Sequence, residues 1–113
     1  MLPKRQRLTK QMIEHLFKNA RRVKTSRFLI SYAPLSELKN PCISMVVSKK
    51  VAKTAVLRNR LRRKGYASVA PLTQNIKQNM GILISFNDGK SDFVNSDATS
   101  ELDLAFKKTG LYK

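Results

Sequence analysis

Residues 48–64 read SKKVAKTAVLRNRLRRK. The stretch leaves an apolar segment, CISMVVS at 42–48, and enters a run in which Leu57 and Leu61 stand four apart. That spacing puts both leucines on one face of a helix, so the stretch joins a strand to a helix that has an inward stripe. Eight of its seventeen residues are Lys or Arg, namely Lys49, Lys50, Lys53, Arg58, Arg60, Arg62, Arg63 and Lys64, and none is acidic. Such density without internal counter-charge calls for an anionic partner, and a polyphosphate backbone fits best.

At about 100° per residue, Arg58 and Arg62 share one flank of the leucine stripe, Arg60 and Lys64 share the other, and Arg63 points outward. Like charges at i,i+4 destabilise an isolated helix, which argues against a purely structural purpose. Guanidinium groups form bidentate bonds with phosphate oxygens, so the face suits a folded RNA. A merely solvated face would mix both signs.

Working outward, the 113 residues carry a formal charge of +16, and its placement is lopsided. Residues 1–64 hold 18 Lys/Arg against Glu14 and Glu37, a net of +16, whereas residues 65–113 hold five of each sign. Solubility does not require that asymmetry, so it marks a binding footprint. The length suits one domain with a modest core, and 42% apolar residues is nearly ordinary for a globular chain. No apolar run approaches the ~20 residues of a spanning helix, and no apolar core of a signal peptide follows the basic start. The expectation is a cytoplasmic protein that uses no membrane. Cys42 is alone, which excludes an intrachain disulfide and suits a small buried side chain. His15 has no partner Cys or His for a zinc site. Asp88, Asp92 and Asp97 are assigned to loop and cap chemistry, so no metal site and no catalytic residue is expected on the chain.

Residues 1–9, MLPKRQRLT, form a basic N-terminal arm. Thr9 can cap a helix whose apolar stripe is Met12, Ile13, Leu16, Phe17 and Ala20. RFLISYA at 27–33 and CISMVVS at 42–48 predict strands, expected as antiparallel neighbours joined through Pro34, Asn40 and Pro41. A helix follows from Lys53; Gly65 predicts its weakening or end, and Pro71 prevents one straight helix to Lys77. GILISF at 81–86 is a buried strand. A last helix, capped by Asn95 or Ser96, carries Ala98, Leu102, Ala105 and Phe106 inward and stops at Gly110. The order α, β, β, α, β, α predicts an α+β sandwich with helices packed on a small sheet.

The chain resembles the protein subunit of bacterial ribonuclease P. The resemblance rests on LPKRQRLTK at the start, on HLFK around Phe17, on RFLISY, on SKKVAKTAV followed by RNRLRR, and on FKKTGL near the end. It implies a two-layer sandwich on a mixed sheet of about four strands, similar to domain 2 of ribosomal protein S5, with a left-handed βαβ crossover. It implies a single RNA-binding domain over 1–113 that serves a catalytic RNA. That RNA, with Mg2+ bound mainly by the RNA subunit, removes the 5′ leader from precursor tRNA. The implied partners are the catalytic RNA and precursor tRNA, with no obligate protein partner. Arg58, Asn59, Arg60, Arg62 and Arg63 fall on the family's RNA-contacting motif, and Lys49, Lys50 and Lys53 on the lysines before it.

Phe17 and Tyr32 match positions lining the family's leader-binding cleft, to which Ile13 and Phe28 are added. Phe28 and Tyr32 have even spacing and share one side of their strand. Unpaired bases stack on such rings for ~1–3 kcal/mol each with little sequence preference. Two departures stand out. Ile13 occupies a place where relatives often have an aromatic, and Lys64-Gly65-Tyr66 replaces two aliphatics and an arginine. Tyr66 is left with two readings, a stacking ring or a hydroxyl contact.

Overall fold

The computed structural model describes residues 10–35, 41–87 and 95–113, apart from the side chains of Met12, Phe17 and Asn95. The basic arm with Thr9, the segment 36–40, and the loop containing Asp88 and Asp92 lie outside the described residues.

Helix α1 spans Lys10–Asn19. Four strands follow around the remaining helices: β1 Arg21–Lys24, β2 Phe28–Pro34, β3 Cys42–Val46 and β4 Met80–Phe86. Helix α2 covers Ala55–Val69 and α3 covers Asn95–Thr109. The sheet order is β1-β2-β4-β3. β2 pairs antiparallel with both β1 and β4, and β3 pairs parallel with β4. The sheet is therefore mixed, and β3-α2-β4 is a crossover between parallel neighbours.

Two expectations are corrected. β2 and β3 are not neighbours, because β4 inserts between them and takes hydrogen bonds from both. β4 is the most continuously apolar strand, and the central position is where a strand can be covered on both faces. The second correction is β1 itself. RRVK has only one apolar residue, and its extended form comes from pairing with β2 from Arg21↔Tyr32 to Lys24↔Leu29.

The main core lies on one face of the sheet, where Phe28, Ile30, Ile43, Met45, Ile82, Ile84 and Phe86 meet Leu61, Tyr66 and Val69 of α2 and Ala98, Leu102, Ala105 and Phe106 of α3. These α3 residues are the expected inward stripe. A smaller cluster of Leu16, Ala33, Cys42 and Leu83 holds α1 against the opposite face. Gly110 adopts φ +75°, which glycine tolerates without a Cβ clash. Its N–H bonds to Lys107 O at 3.4 Å and that of Leu111 to Phe106 O at 3.1 Å, a Schellman stop for α3.

Gly65 does not end α2, which runs on to Val69 before a 3-10 helix at Ala70–Asn75. The glycine answers a packing demand instead: a Cβ there would fall 2.3 Å from Met45 Cε and 3.2 Å from the Phe86 ring. The missing side chain lets α2 settle onto β3 and β4.

Candidate nucleic-acid interface

The cationic stretch begins at a tight turn. Val51 N and Ala52 N donate to Ser48 O at 3.1 and 3.0 Å, and Ser48 Oγ accepts a second bond from Val51 N at 3.3 Å. This fold-back leaves Lys49 and Lys50 at the turn, both exposed. Thr54 then caps α2 with extended dihedrals, its Oγ1 accepting from Leu57 N at 3.2 Å. The helix start faces the same region as the lysines, and its positive dipole end adds to their field.

Along α2 the arginines differ in what they do. Arg58 is half-buried, and its guanidinium donates to Ala52 O at 3.0 Å and Lys53 O at 3.2 Å. It therefore fastens the loop before the helix. Arg62 donates to Asn59 Oδ1 at 3.0 Å, so Asn59 orients a neighbouring guanidinium one turn away. Arg60 and Arg63 are exposed and have no ion-pair partner among the described residues. Lys49, Lys50 and Lys53 share that condition. A shallow depression lined by Val56, Asn59, Arg62, Arg63 and Tyr66 runs along the helix.

Tyr66 does not fit either reading made from the sequence. It is buried, and its hydroxyl accepts a hydrogen bond from Met45 N at 3.2 Å. The buried ring is not free to stack, and the hydroxyl is engaged by the β3 backbone.

The aromatic cleft also needs correction. Phe28 is fully buried and meets Phe86 edge-to-face, with centroids 5.1 Å apart. Tyr32 packs against the same α2/α3 core. Ile13 belongs to the other cluster, across the sheet with α1. Phe17 lies on α1, and its side chain is outside the described residues. Successive strand residues point to opposite faces, so Phe28 and Tyr32 turn away from the side that α1 occupies.

The register identifies what that side presents instead. One cross-sheet row reads Val46, Ser85, Leu29, Lys24, and the next Ser44, Leu83, Ser31, Arg22. α1 covers the end near Ala33 and Cys42. Towards the other end Val46 is 39% exposed and Leu29, Ser31 and Ser85 are half-buried. This open floor of small and aliphatic side chains adjoins the lysine turn at the end of β3. Sequence reasoning missed it, since serines carry no signal until pairing shows which face they share.

Among the described residues no group of three His, Cys, Asp or Glu side chains could hold a metal ion. Nor is any described helix long and apolar enough to cross a membrane.

A cationic helix start, a lysine turn and a partly exposed sheet face define an α+β protein of the RNA-binding class. The family model for ribonuclease P matches residues 2–110, and the chain belongs to that family, as the protein component of a ribonucleoprotein endoribonuclease whose partner is RNA. Among solved structures, the ribonuclease P protein of Staphylococcus aureus is similar with a TM-score of 0.79 and 18% identity, over 96% of this chain and 98% of that one. The ribonuclease P protein of Thermotoga maritima is similar with a TM-score of 0.75 and 17% identity, over 90% and 96% of the two chains. A search of curated protein sequences gives no match.

Proposed function

We infer that the chain holds the catalytic RNA and precursor tRNA together, leaving bond cleavage to the RNA and its magnesium ions. The lysine turn and the outward arginines Arg60 and Arg63 grip phosphates, while Asn59 and Arg58 keep the α2 start in shape. The open face beside the turn receives the single-stranded 5′ leader, whose bases vary between precursors. Its floor of Ser31, Ser85, Leu29 and Val46 suits variable sequence, because small and aliphatic side chains discriminate little between bases. This work belongs to the cytoplasm, where precursors are made. The supporting observation is the adjacency of a lysine turn without ion pairs among the described residues to a strip of sheet that is only half-buried.

Reconstitution tests it. The protein with its cognate catalytic RNA should bind precursor tRNA more tightly than mature tRNA, and this preference should vanish without the protein. Arg60→Ala with Arg63→Ala should flatten the salt dependence of RNA binding by about 0.7–0.9 slope units per lost contact. Equal affinity for precursor and mature tRNA would remove the leader from this reading. An unchanged salt slope would remove the arginines.

A further inference from the structure

The turn that leads into β4 carries side-chain chemistry that the function above does not use. Residues 73–79 read TQNIKQN, with four side-chain amides and one lysine, and no acidic residue occurs from 71 to 87. Gln74, Asn75, Lys77, Gln78 and Asn79 are exposed, while Ile76 among them is fully buried and pins the segment to the core. Lys77, Gln78 and Asn79 line a shallow depression together with Lys113.

These amides differ from the others in the chain because nothing in the fold uses them. Asn19 Nδ2 donates to His15 O at 3.4 Å, Asn59 Oδ1 accepts from Arg62, and Asn87 Nδ2 donates to the carbonyls of Thr25 and Phe28. The side chains of Gln74, Asn75, Gln78 and Asn79 have no hydrogen-bond partner among the described residues, and Lys77 and Lys113 have no ion-pair partner there. Their backbone, by contrast, is tied on both sides. Lys77 N donates to Leu111 O at 2.8 Å, Lys113 N to Asn75 O at 2.9 Å and Leu35 N to Asn79 O at 2.6 Å. Ile76 and Tyr112 form the bridge between the two segments. Unspent donors and acceptors thus stand on a fixed frame, which lowers the ordering cost of binding.

The place of this turn in the fold sets it apart from the arginine helix start. β3 and β4 run parallel, the lysine turn follows the end of β3, and the amide turn precedes the start of β4. The two turns therefore lie at opposite ends of the sheet. Six residue steps along β4 at ~3.3 Å separate them by ~20 Å or more, in a molecule whose longest extent is 35 Å.

We propose that the amide turn, with Lys77 and Lys113, docks on the minor groove of an A-form RNA helix. Gln78 and Asn79 meet ribose 2′-hydroxyls there, and the two lysines meet the phosphates that flank them. A carboxamide both donates and accepts, as a 2′-hydroxyl does, so the two groups match in either orientation. The A-form minor groove is wide and shallow and displays these hydroxyls, whereas the deep major groove shuts side chains out. No aromatic ring lines the depression, so an unpaired base has no platform to stack on. The helix belongs to the catalytic RNA or to the body of the tRNA, and the recognition chemistry is the same in both. The inference rests on RNA as the partner and is independent of where the leader lies. It makes the protein a brace between two RNA contacts at opposite ends of its sheet.

The test uses holoenzyme assembled from the protein and its catalytic RNA, with and without mature tRNA. Gln78→Ala with Asn79→Ala removes the amides at unchanged charge and keeps the Asn79 carbonyl that accepts from Leu35 N. Lys77→Ala with Lys113→Ala removes the cations. In hydroxyl-radical footprinting the wild-type protein should protect riboses on both strands of one helix, across its minor groove, and the amide variant should leave them open. The amide variant should bind that RNA several-fold more weakly with the salt slope unchanged. The lysine variant should lower the slope by about 1.8, from two duplex contacts at ~0.9 each. Replacing the protected riboses by 2′-deoxyriboses should weaken wild-type binding to the level of the amide variant and leave that variant unaffected.

Protection in the free holoenzyme would place the helix in the catalytic RNA, and protection that requires mature tRNA would place it in the tRNA body; either supports the proposal. An amide variant with unchanged affinity and footprint would overturn it and leave a solvated turn. Wild-type binding indifferent to the 2′-deoxy replacement would overturn it by reducing the contact to phosphates. Arg60→Ala with Arg63→Ala, measured alongside, separates the failures. If that pair flattens the salt slope while both variants at this turn behave as wild type, the present inference alone is lost. If no variant changes RNA binding, the phosphate grip proposed for α2 is lost with it.

Discussion

The phenol oxygen of Tyr66 accepts a 3.2 Å hydrogen bond from the backbone N–H of Met45, joining the arginine-bearing helix α2 to the sheet edge β3. β3 is an edge strand of the described sheet, and the Met45 N–H finds its acceptor in a side chain. Tyr66 supplies the missing acceptor. Removing the hydroxyl leaves a buried donor without its partner, which costs about 1–3 kcal/mol. Tyr66→Phe should therefore lower the melting temperature by several degrees, at ~4–8 °C per kcal/mol for a domain near this size. Thermal unfolding by circular dichroism checks it; an unchanged midpoint would show that water replaces the phenol.

Gly65 and Met45 are coupled sterically one residue away. A Cβ at Gly65 would need Met45 Cε to move, and the Phe86 ring lies just behind it. Gly65→Leu should cost on the order of 2–3 kcal/mol by overpacking, even though leucine favours a helix. Met45→Ala opens space at the same point, so the double variant should be more stable than the sum of the two single losses predicts. A double-mutant cycle in urea measures that coupling. Additive losses would mean that α2 shifts as a body rather than pressing on Met45.

The glycine shows why parts of this molecule were legible in the sequence and others were not. Leu57/Leu61 and Ala98/Leu102/Ala105/Phe106 announced their helices by spacing, and Gly81–Phe86 its strand by continuous apolarity. Gly65 looked like a breaker because a single chain reveals propensity but not the close approach of another strand. β1 escaped because Val23 alone gives no period. Tyr32 and Ser31 are adjacent, and only the packing of Tyr32 on the α2/α3 core, with Ala33 beside Leu16, shows which of them faces α1. The cations were visible as charges, but the inward bonds of Arg58 depend on where the Ala52 and Lys53 carbonyls turn.

Glu101 is the anchor of the β1–β2 turn. It accepts from the Thr25 hydroxyl, from Arg27 N at 2.9 Å and from the Arg27 guanidinium at 2.8 Å, with its side chain only 16% exposed. Glu101→Ala strips an acceptor from three donors and should cost about 2 kcal/mol. The local consequence is more telling: amide exchange should speed up at Arg27 and Phe28 well beyond its change in the α2/α3 core. Uniform acceleration across the chain would mean the turn unfolds only with the whole protein.

Stability should fall at both ends of the pH scale, and the C-terminal tyrosine shows the sign. Tyr112 donates to Asp103 Oδ1 at 2.6 Å, and Lys107 Nζ lies 3.2 Å from Asp103 Oδ2. Burial, then the hydrogen bond to Asp103 and its charge, raise the phenol above its ordinary 10.0. The folded chain holds that proton more tightly, so its contribution is complete below pH 10.0 and is lost as pH rises beyond. Burial raises the Cys42 thiol above 9.0 and acts in the same direction. Hydrogen bonds from Tyr112 and Lys107 lower the Asp103 carboxyl below 3.8, a contribution present above that pH and lost as pH falls. Urea midpoints of wild type and Tyr112→Phe should converge as pH rises from 8 through 11, values bracketing the ordinary phenol range of about 10. A constant gap would show that the phenol's proton is not linked to folding.

Arg58 and Arg60 stand two apart on one helix and should behave oppositely when truncated. Arg58 donates to Ala52 O and Lys53 O, holding the loop that leads into α2. Arg60 is exposed and has no ion-pair partner among the described residues. Arg58→Ala should lower stability by about 1 kcal/mol through two lost charged-donor bonds, partly offset by solvent. Arg60→Ala should leave the melting temperature alone and relieve like-charge repulsion with Lys64. Its effect belongs to RNA binding, where one lost phosphate contact should flatten the salt slope by about 0.7–0.9. Arg58→Lys is the sharper comparison: it keeps the charge but loses the guanidinium whose Nη1 reaches both carbonyls. If Arg58→Lys binds RNA like wild type while melting early, Arg58 acts on the fold of the loop. If it melts normally and binds weakly, Arg58 meets phosphate directly and the inward bonds are replaced on binding.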